Sequence, residues 1–466
     1  MPRSRSISGF RAKLSGVSRN SKPLRHRAHP APIPCWEIPH AFALWQASQV
    51  ALNRSIQEVS EQEENFGVTI FHSGWRDAVL LLAAAPLAYY VAATFAAWRF
   101  FRGVRRHKLR NYTPGVSLLK PVRDVDFGSY ENYSSFCRQD YPDYEILFAV
   151  NDASDPAVPL IHRLIAEFPR HKIRLLVGAE NLGANRKVNK LARLSREAQY
   201  EILVLTDGDV RVGPNYLREV VAPFVEESTG AVTSFYRGIA EHNLGAELEA
   251  VGASSDFFAG VLMAEWTEGI NFALGASIVT TKRWLAKIGG FESITGMLAD
   301  DYELGLRIAE AGGRVLLSRE PVWTMYPAQT AKSFWDHQVR WARTVRLCRP
   351  LSYFGLIFTL GLPWTVLAAL VAPTKWIAAA YLLAYLVLRH VMAWTVGVWG
   401  VGDDVLRRKL WLVPLRDALY SVVWLASFAS NRVTWGGQEY TMHNGQMVSV
   451  AASGAADSTP ATAPRG

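Results

Sequence analysis

The stretch "EILVLTDGDVRVG", residues 201–213, holds an apolar run and then sets two carboxylates, Asp207 and Asp209, on either side of one glycine. Residues 202–206 are uncharged, rich in branched side chains and closed by an Asp-Gly turn, which predicts a short strand buried on both faces. The pattern recurs upstream in "VSLL" (116–119), "EILFAV" (145–150) and "IRLLV" (173–177), with helix-like stretches such as "AVPLIHRLIAEF" (157–168) between. Strands alternating with helices predict an α/β domain on a mostly parallel sheet. Ligands of such sheets bind beyond the carboxyl ends of the strands. The Asp-Gly-Asp turn therefore stands where chemistry is done.

Two apolar runs bracket this domain. Residues 78–98 are uncharged for 21 positions, enough for a bilayer-spanning helix, and are followed by Arg99, Arg102, Arg105, Arg106, Lys108 and Arg110. Residues 350–374 form a second uncharged run, preceded by Arg340, Arg343, Arg346 and Arg349. Positive flanks stay on the cytoplasmic side, so the domain between is expected to face the cytosol. A third run, 376–402, carries Arg389 and His390, and a central arginine there must face another helix or water. Residues 418–431 either span or lie along the surface. The expected organisation is a basic tail (1–73), a membrane helix (74–101), a cytosolic catalytic domain (102–349), transmembrane or interfacial helices (350–431) and a C-terminal tail (432–466). The segment "SSDFFAGVLMAEW" (254–266) is too short to span and reads either as a leaflet-dipping or as a core helix.

Charge supports a membrane protein over a nucleic-acid partner. Of the formal +9, eight basic residues lie in 1–30, where no Asp or Glu occurs, which leaves +1 for the rest. A nucleic-acid enzyme spreads such charge over a folded face. The three cysteines, Cys35, Cys137 and Cys348, have neither disulfide-framework nor zinc spacing.

Three acidic clusters sit at element edges. In "VNDASDPAV" (150–158), Asp152 and Asp155 fit a turn as well as a ligand site. Asp207 and Asp209 make a hard-oxygen pair suited to Mg²⁺ or Mn²⁺ bound together with substrate phosphates. In "LADDYELG" (298–305), Asp300 is expected to cap a helix with Glu303, and Asp301 is left to point into a cleft and accept a proton. In "FWDHQVRWARTVR" (334–346), Arg343 and Arg346 read as interfacial anchors, whereas Arg340 suits a diphosphate.

Together these segments resemble a known family. "GVSLLKPVRDVD", "CRQDYPDYEILFAVNDASDPAV", "NLGANRKVNKL", "DGDVRVGPNYL", "FALGASIVTTKRWLAKIGGF" and "LADDYELGLRIA" are similar to the ceramide glucosyltransferases and their bacterial relatives. "GANRKVNKL" and "HQVRWARTVRLCRP" resemble the hopanoid-biosynthesis glycosyltransferases among them. The resemblance covers about residues 112–350. It implies an inverting enzyme of GT-A fold that uses a divalent cation to move a hexose from a UDP-sugar to a lipid hydroxyl at a bilayer. It implies that Asp152, Asp155, Lys187, Asn189, Asp207, Arg340 and Trp341 bind the donor. Asp207 and Asp209 would hold the metal, and Asp301 would be the base. His337 stands where the family's signature has Gln or Arg, which fits a plain interfacial residue. Two other readings are a processive polysaccharide synthase and a non-catalytic nucleotide-sugar-binding protein. The few C-terminal spans weigh against the first, and the complete acidic set against the second.

Overall fold

A computed structural model of the chain describes residues 74–103, 112–178, 180–435, 438–443 and 446–449. The basic tail expected at 1–73, the cations at 105–110 and the stretch from 450 onward lie outside the described residues. Among the described residues, the domain after the first long apolar helix is built on eight strands: β1 (Val116–Pro121), β2 (Tyr144–Val150), β3 (Lys172–Val177), β4 (Ile202–Thr206), β5 (Val210–Arg211), β6 (Thr229–Ala240), β7 (Ser277–Thr281) and β8 (Arg314–Tyr326). Their order is β3-β2-β1-β4-β7-β6-β8-β5. β3, β2, β1 and β4 run parallel, as do β6 and β8, while β7 is antiparallel to both its neighbours. The expected α/β class and mostly parallel sheet are present.

The lack of alternation in these strands has a simple cause. Val116, Leu118, Ile146, Phe148, Ile202 and Val204 feed one core, while their neighbours Leu119, Leu147, Ala149, Leu203 and Leu205 feed a second core across the sheet. Side chains alternate faces along a strand, so two covered faces demand apolar residues at every position. The other half of the sheet curls. β6 and β8 slip register between Thr229 and Ala231 and between Ser234 and Tyr236, and such irregularities bend a ladder.

Among the described residues two helices are long and apolar enough to cross a membrane: α1 (Gly74–Arg102), and Lys375–Val401, which contains the regular helix α7 (Lys375–Ala393). The run expected as one span at 350–374 is instead broken into Pro350–Thr359 and Gly361–Val371, bent by 49°. The break follows from Pro363, which has no N–H to offer the carbonyl of Thr359 four residues back. Tyr90 of α1 takes that place: its hydroxyl donates to Thr359 O at 3.3 Å and accepts from Gly361 N at 3.0 Å. A Cβ on Gly361 would lie 2.2 Å from that hydroxyl oxygen, so glycine is required by the close approach. Arg389 of α7 does face other elements, as its position demands. It is 1% exposed and bonds Asp417 Oδ1 at 2.8 Å and Asp256. Removing one member of such a buried pair typically costs about 3–5 kcal/mol.

The remaining helices that shape the site are α2 (Arg186–Glu197), α3 (Leu244–Gly252), α4 (Phe258–Thr267), α5 (Asp300–Glu310), α6 (Ala331–Cys348) and α8 (Val413–Ser427). The segment 254–266 becomes a π-helical turn, Ala253–Phe257, followed by α4. It packs against α1 through Phe95 and Trp266, rings 5.3 Å apart, with Arg99 and Glu265 3.7 Å apart. Residues 432–449, expected as part of a tail, form a three-stranded antiparallel sheet: β9 (Arg432–Trp435), β10 (Gln438–His443) and β11 (Gln446–Ser449). Its strands are short and largely polar, and what orders them is contact. Val433, Tyr440 and Met447 bury themselves against Leu298.

Candidate active site

β4 delivers Asp207 and Asp209 to the carboxyl edge of the sheet. The turn is held from below by Lys120, the one charged residue of β1, and buried. Its Nζ donates to Thr206 Oγ1 at 2.9 Å and to Asp207 O at 3.0 Å. Burial pulls the Lys120 ammonium down to about 7, although Asp209 and Asp207 act to raise it. The turn is tied from above by β8, whose Met325 N donates to Asp209 O at 3.2 Å. Burial, and then the neighbouring charge of Asp207, push the Asp209 carboxyl up to about 7. Two carboxylates in this confinement call for a cation.

Lys187 supplies one. α2 is capped by Asn185, whose side chain accepts from Lys187 N at 3.0 Å and Val188 N at 3.1 Å and donates to Met297 O at 2.9 Å. This cap aims the first turn of α2 at the Asp-Gly-Asp turn. Lys187 Nζ lies 2.7 Å from Asp207 Oδ1 and 3.3 Å from Asp300 Oδ2. Burial favours its neutral form, but Asp207, Asp300 and Asp301 outweigh it and hold its pKa above the ordinary lysine value. The role expected of Asp300 needs correction. The cap position of α5 is Ala299, no side chain caps the helix, and Glu303 pairs with Arg307 at 3.2 Å instead of closing a capping box. Asp300 is the first helical residue, and the cation opposite turns it into part of the site.

Asp301 follows on the same turn. Its Oδ1 accepts from Tyr302 N at 2.9 Å. Burial, then Asp300, raise its carboxyl to about 6, while Lys187 pulls the other way. Gly275 leaves the space the carboxylate occupies.

α6 forms the facing wall. Arg340 and Trp341 both line the cavity, and burial lowers the Arg340 pKa against the opposing charge of Glu249. His337 is more than an interfacial residue: its Nδ1 lies 2.7 Å from Oε1 of buried Glu249 on α3, and its ring meets Trp341 edge-on at 5.0 Å. Arg343 and Arg346, expected as interfacial anchors, donate to Arg432 O at 2.8 Å and Ser430 O at 3.1 Å.

Asp207, Asp209, Lys187, Asp300, Asp301, Arg340 and Trp341 thus line one cavity of about 1650 Å³. The cavity runs from the sheet edge to Tyr89 and Tyr90 of α1, Leu362 of the Gly361–Val371 helix, Met392 of α7, and Val433 and Tyr440 of the C-terminal sheet. Three expected donor residues do not line it. Asp155 Oδ1 accepts from Asp124 N at 3.1 Å and Ala157 N at 2.9 Å, fastening the left-handed Asp124 to the start of a helix. Asp152 is exposed and accepts from Ser154 N at 2.9 Å, and Asn189 Nδ2 donates to Gly183 O at 2.9 Å. Their neighbours Asn151 and Lys190 do line it. Lys120 was missed, although a lone lysine inside an apolar strand is a legible signal: burying it needs a reason.

Known proteins carry similar sequences. Ceramide glucosyltransferase 3 of Caenorhabditis elegans is 26% identical over 262 residues, 55% of this chain and 55% of that one. The ceramide glucosyltransferase of Candida albicans is 34% identical over 122 residues, 23% of this chain and 22% of that one. The chain spans about half the length, or less, of the curated relatives it matches. Among solved structures, the mannosyltransferase PcManGT from Pyrobaculum calidifontis, in complex with GDP-Man and Mn²⁺, aligns with a TM-score of 0.44 and 17% identity, over 75% of this chain and 98% of that one. The model of glycosyl transferase family 21 matches residues 78–448, from within α1 to the last strand of the C-terminal sheet. That match over most of its length means that the chain belongs to glycosyl transferase family 21.

Proposed function

We propose that the protein is an inverting glycosyltransferase that moves a hexose from UDP-glucose or UDP-N-acetylglucosamine to a hydroxyl of a membrane lipid, ceramide-like or hopanoid, on the cytosolic face of the bilayer. One observation carries this reading: carboxylates and cations suited to a sugar nucleotide share a single cavity with residues of membrane-length helices. The acceptor hydroxyl gives its proton to Asp301 as its oxygen attacks the anomeric carbon, and the bond to UDP breaks. One displacement on an α-linked donor gives a β-glycoside, and a single base suffices. A carboxylate titrating near 6 is ionised at neutral pH yet basic enough for the task. Lys187 and Arg340 face the departing diphosphate, Arg340 with a guanidinium that makes no hydrogen bond to any described residue.

A divalent cation fits the donor set. Asp207 and Asp209 offer hard oxygens whose mutual repulsion a cation relieves. Among the described residues no group of three or more His, Cys, Asp or Glu is placed to hold a metal; Mg²⁺ or Mn²⁺ would be held by Asp207 and Asp209 together with the phosphates of the donor. When bound, the ion supplies charge neutralisation for the leaving group. The test is incubation of membranes containing the protein with labelled UDP-glucose and UDP-N-acetylglucosamine, followed by mass analysis of extracted lipids. A hexosylated lipid from one donor is expected; no lipid product from either ends the reading.

A further inference from the structure

The membrane-facing arm of the cavity holds a second polar cluster that the transfer chemistry does not use. Arg416 of α8 and Asp256 of the turn before α4 both line the cavity. Arg416 Nε lies 3.9 Å from Asp256 Oδ2, beyond hydrogen-bond range. Arg416 is only 6% exposed, yet its Nε and Nη1 are buried without a hydrogen-bond partner, as is Asp256 Oδ2. Neighbouring Arg389 is different, because its guanidinium is spent on Asp417, Ser255 and Asp256. Gly252 keeps room for the Arg416 head, since a Cβ there would fall 2.2 Å from Nε. Buried polar atoms are normally paired, so two residues that line a cavity while keeping unpaired polar atoms behind its surface mark a place where a ligand can be gripped.

We propose that Arg416 and Asp256 form the subsite that grips the head of the lipid acceptor, and that this head carries a neutral hydrogen-bonding group, a hydroxy-amide or a vicinal diol, beside the hydroxyl that reacts. The inference rests on the lipid-glycosylation reading above. Arg416 requires an acceptor atom and Asp256 a donor, and a hydroxyl or an amide offers both. A lipid whose only polar group is the reacting hydroxyl, held at Asp301, leaves both unmet. The charges of Arg389, Arg416, Asp256 and Asp417 cancel, so the arm has no excess positive charge for a phosphate. Phe257, Val261, Leu362 and Met392 line the same cavity with apolar surface for the hydrocarbon.

The experiment uses the full chain in nanodiscs and measures direct binding of four lipids: a ceramide, a polyol hopanoid, a sterol and a polyprenyl phosphate. UDP binding is measured in parallel. The wild type is expected to bind the ceramide or the polyol in preference to the sterol and the phosphate. Arg416→Met and Asp256→Asn should each weaken that binding by about tenfold or more while UDP binding is unchanged. Should Arg416→Met lose UDP binding and thermal stability together, Arg416→Lys decides, because it keeps the positive charge and leaves the Arg389 pairs with Asp256 and Asp417 intact while removing the guanidinium that grips the head. Neutral-lipid binding unaltered in both variants, or equal binding of the polyprenyl phosphate, overturns the subsite. Selective loss of lipid binding in a protein that transfers no sugar keeps the subsite and removes the transferase reading.

Discussion

Gly275 and Asp301 sit so close that a Cβ on the glycine would lie 2.9 Å from Asp301 Oδ2. Contacts that short are not found for real Cβ atoms, and the carboxylate is the part free to move. Gly275→Ala should therefore fold normally and bind UDP, while kcat falls by up to about 100-fold, the cost of misplacing a reacting group by about an ångström. Steady-state kinetics beside a thermal melt reads this. An unaltered kcat would show that the position of Asp301 is not critical.

The same carboxylate predicts a pH profile. A base works ionised, and burial with Asp300 raises its pKa to about 6. Transfer should fall as pH drops through 6 and level off above it. Asp301→Asn should abolish turnover at every pH while UDP-sugar binding persists. A wild-type rate flat from pH 5 to 8 would falsify the assignment.

Lys187 makes a prediction of opposite signs. It occupies Asp207 Oδ1 and balances Asp300. In Lys187→Met the carboxylates lose their resident cation, so Mn²⁺ should bind more tightly, by about tenfold for one charge-assisted contact. The donor KM should rise by a similar factor, because the diphosphate loses a counter-charge. Mn²⁺ titration by electron paramagnetic resonance and donor kinetics give the two values. Both moving in the same direction would count against the exchange.

The sheet and the Asp-Gly-Asp turn were legible because their determinants are local. Residues 202–206 must be apolar on both faces, and a turn must follow. Asp300 was misread because a helix N-terminus and a capping pattern are visible in sequence, whereas Lys187, over a hundred positions away, is not. The partners of Arg343 and Arg346 were hidden for the same reason, since they are the carbonyls of residues 432 and 430. Asp155 was singled out by resemblance, and its neighbourhood shows a carboxylate occupied by backbone amides. Residues 432–449 escaped entirely: three short strands carrying few apolar residues acquire order only by packing on Leu298.

That packing leads to the last prediction. β11 reaches the segment just before the Asp300–Asp301 pair: Met447 N donates to Gly296 O at 2.8 Å, and Gln446 bridges Met297. The Met447 N–H therefore points away from β10, so a proline there removes the strap to Gly296 without touching the β10–β11 ladder, as an edge strand tolerates. Met447→Ala keeps the N–H and loses only side-chain packing, which makes it the control. If the C-terminal sheet steadies the loop that presents Asp301, Met447→Pro should lower kcat several-fold beyond Met447→Ala, at equal donor KM and similar melting temperature. The factor corresponds to about 1 kcal/mol, the net worth of one hydrogen bond. Equal kcat in the two variants would mean that the sheet roofs the cavity without holding the base, and that Gly275 and the Tyr302 amide are enough to place it.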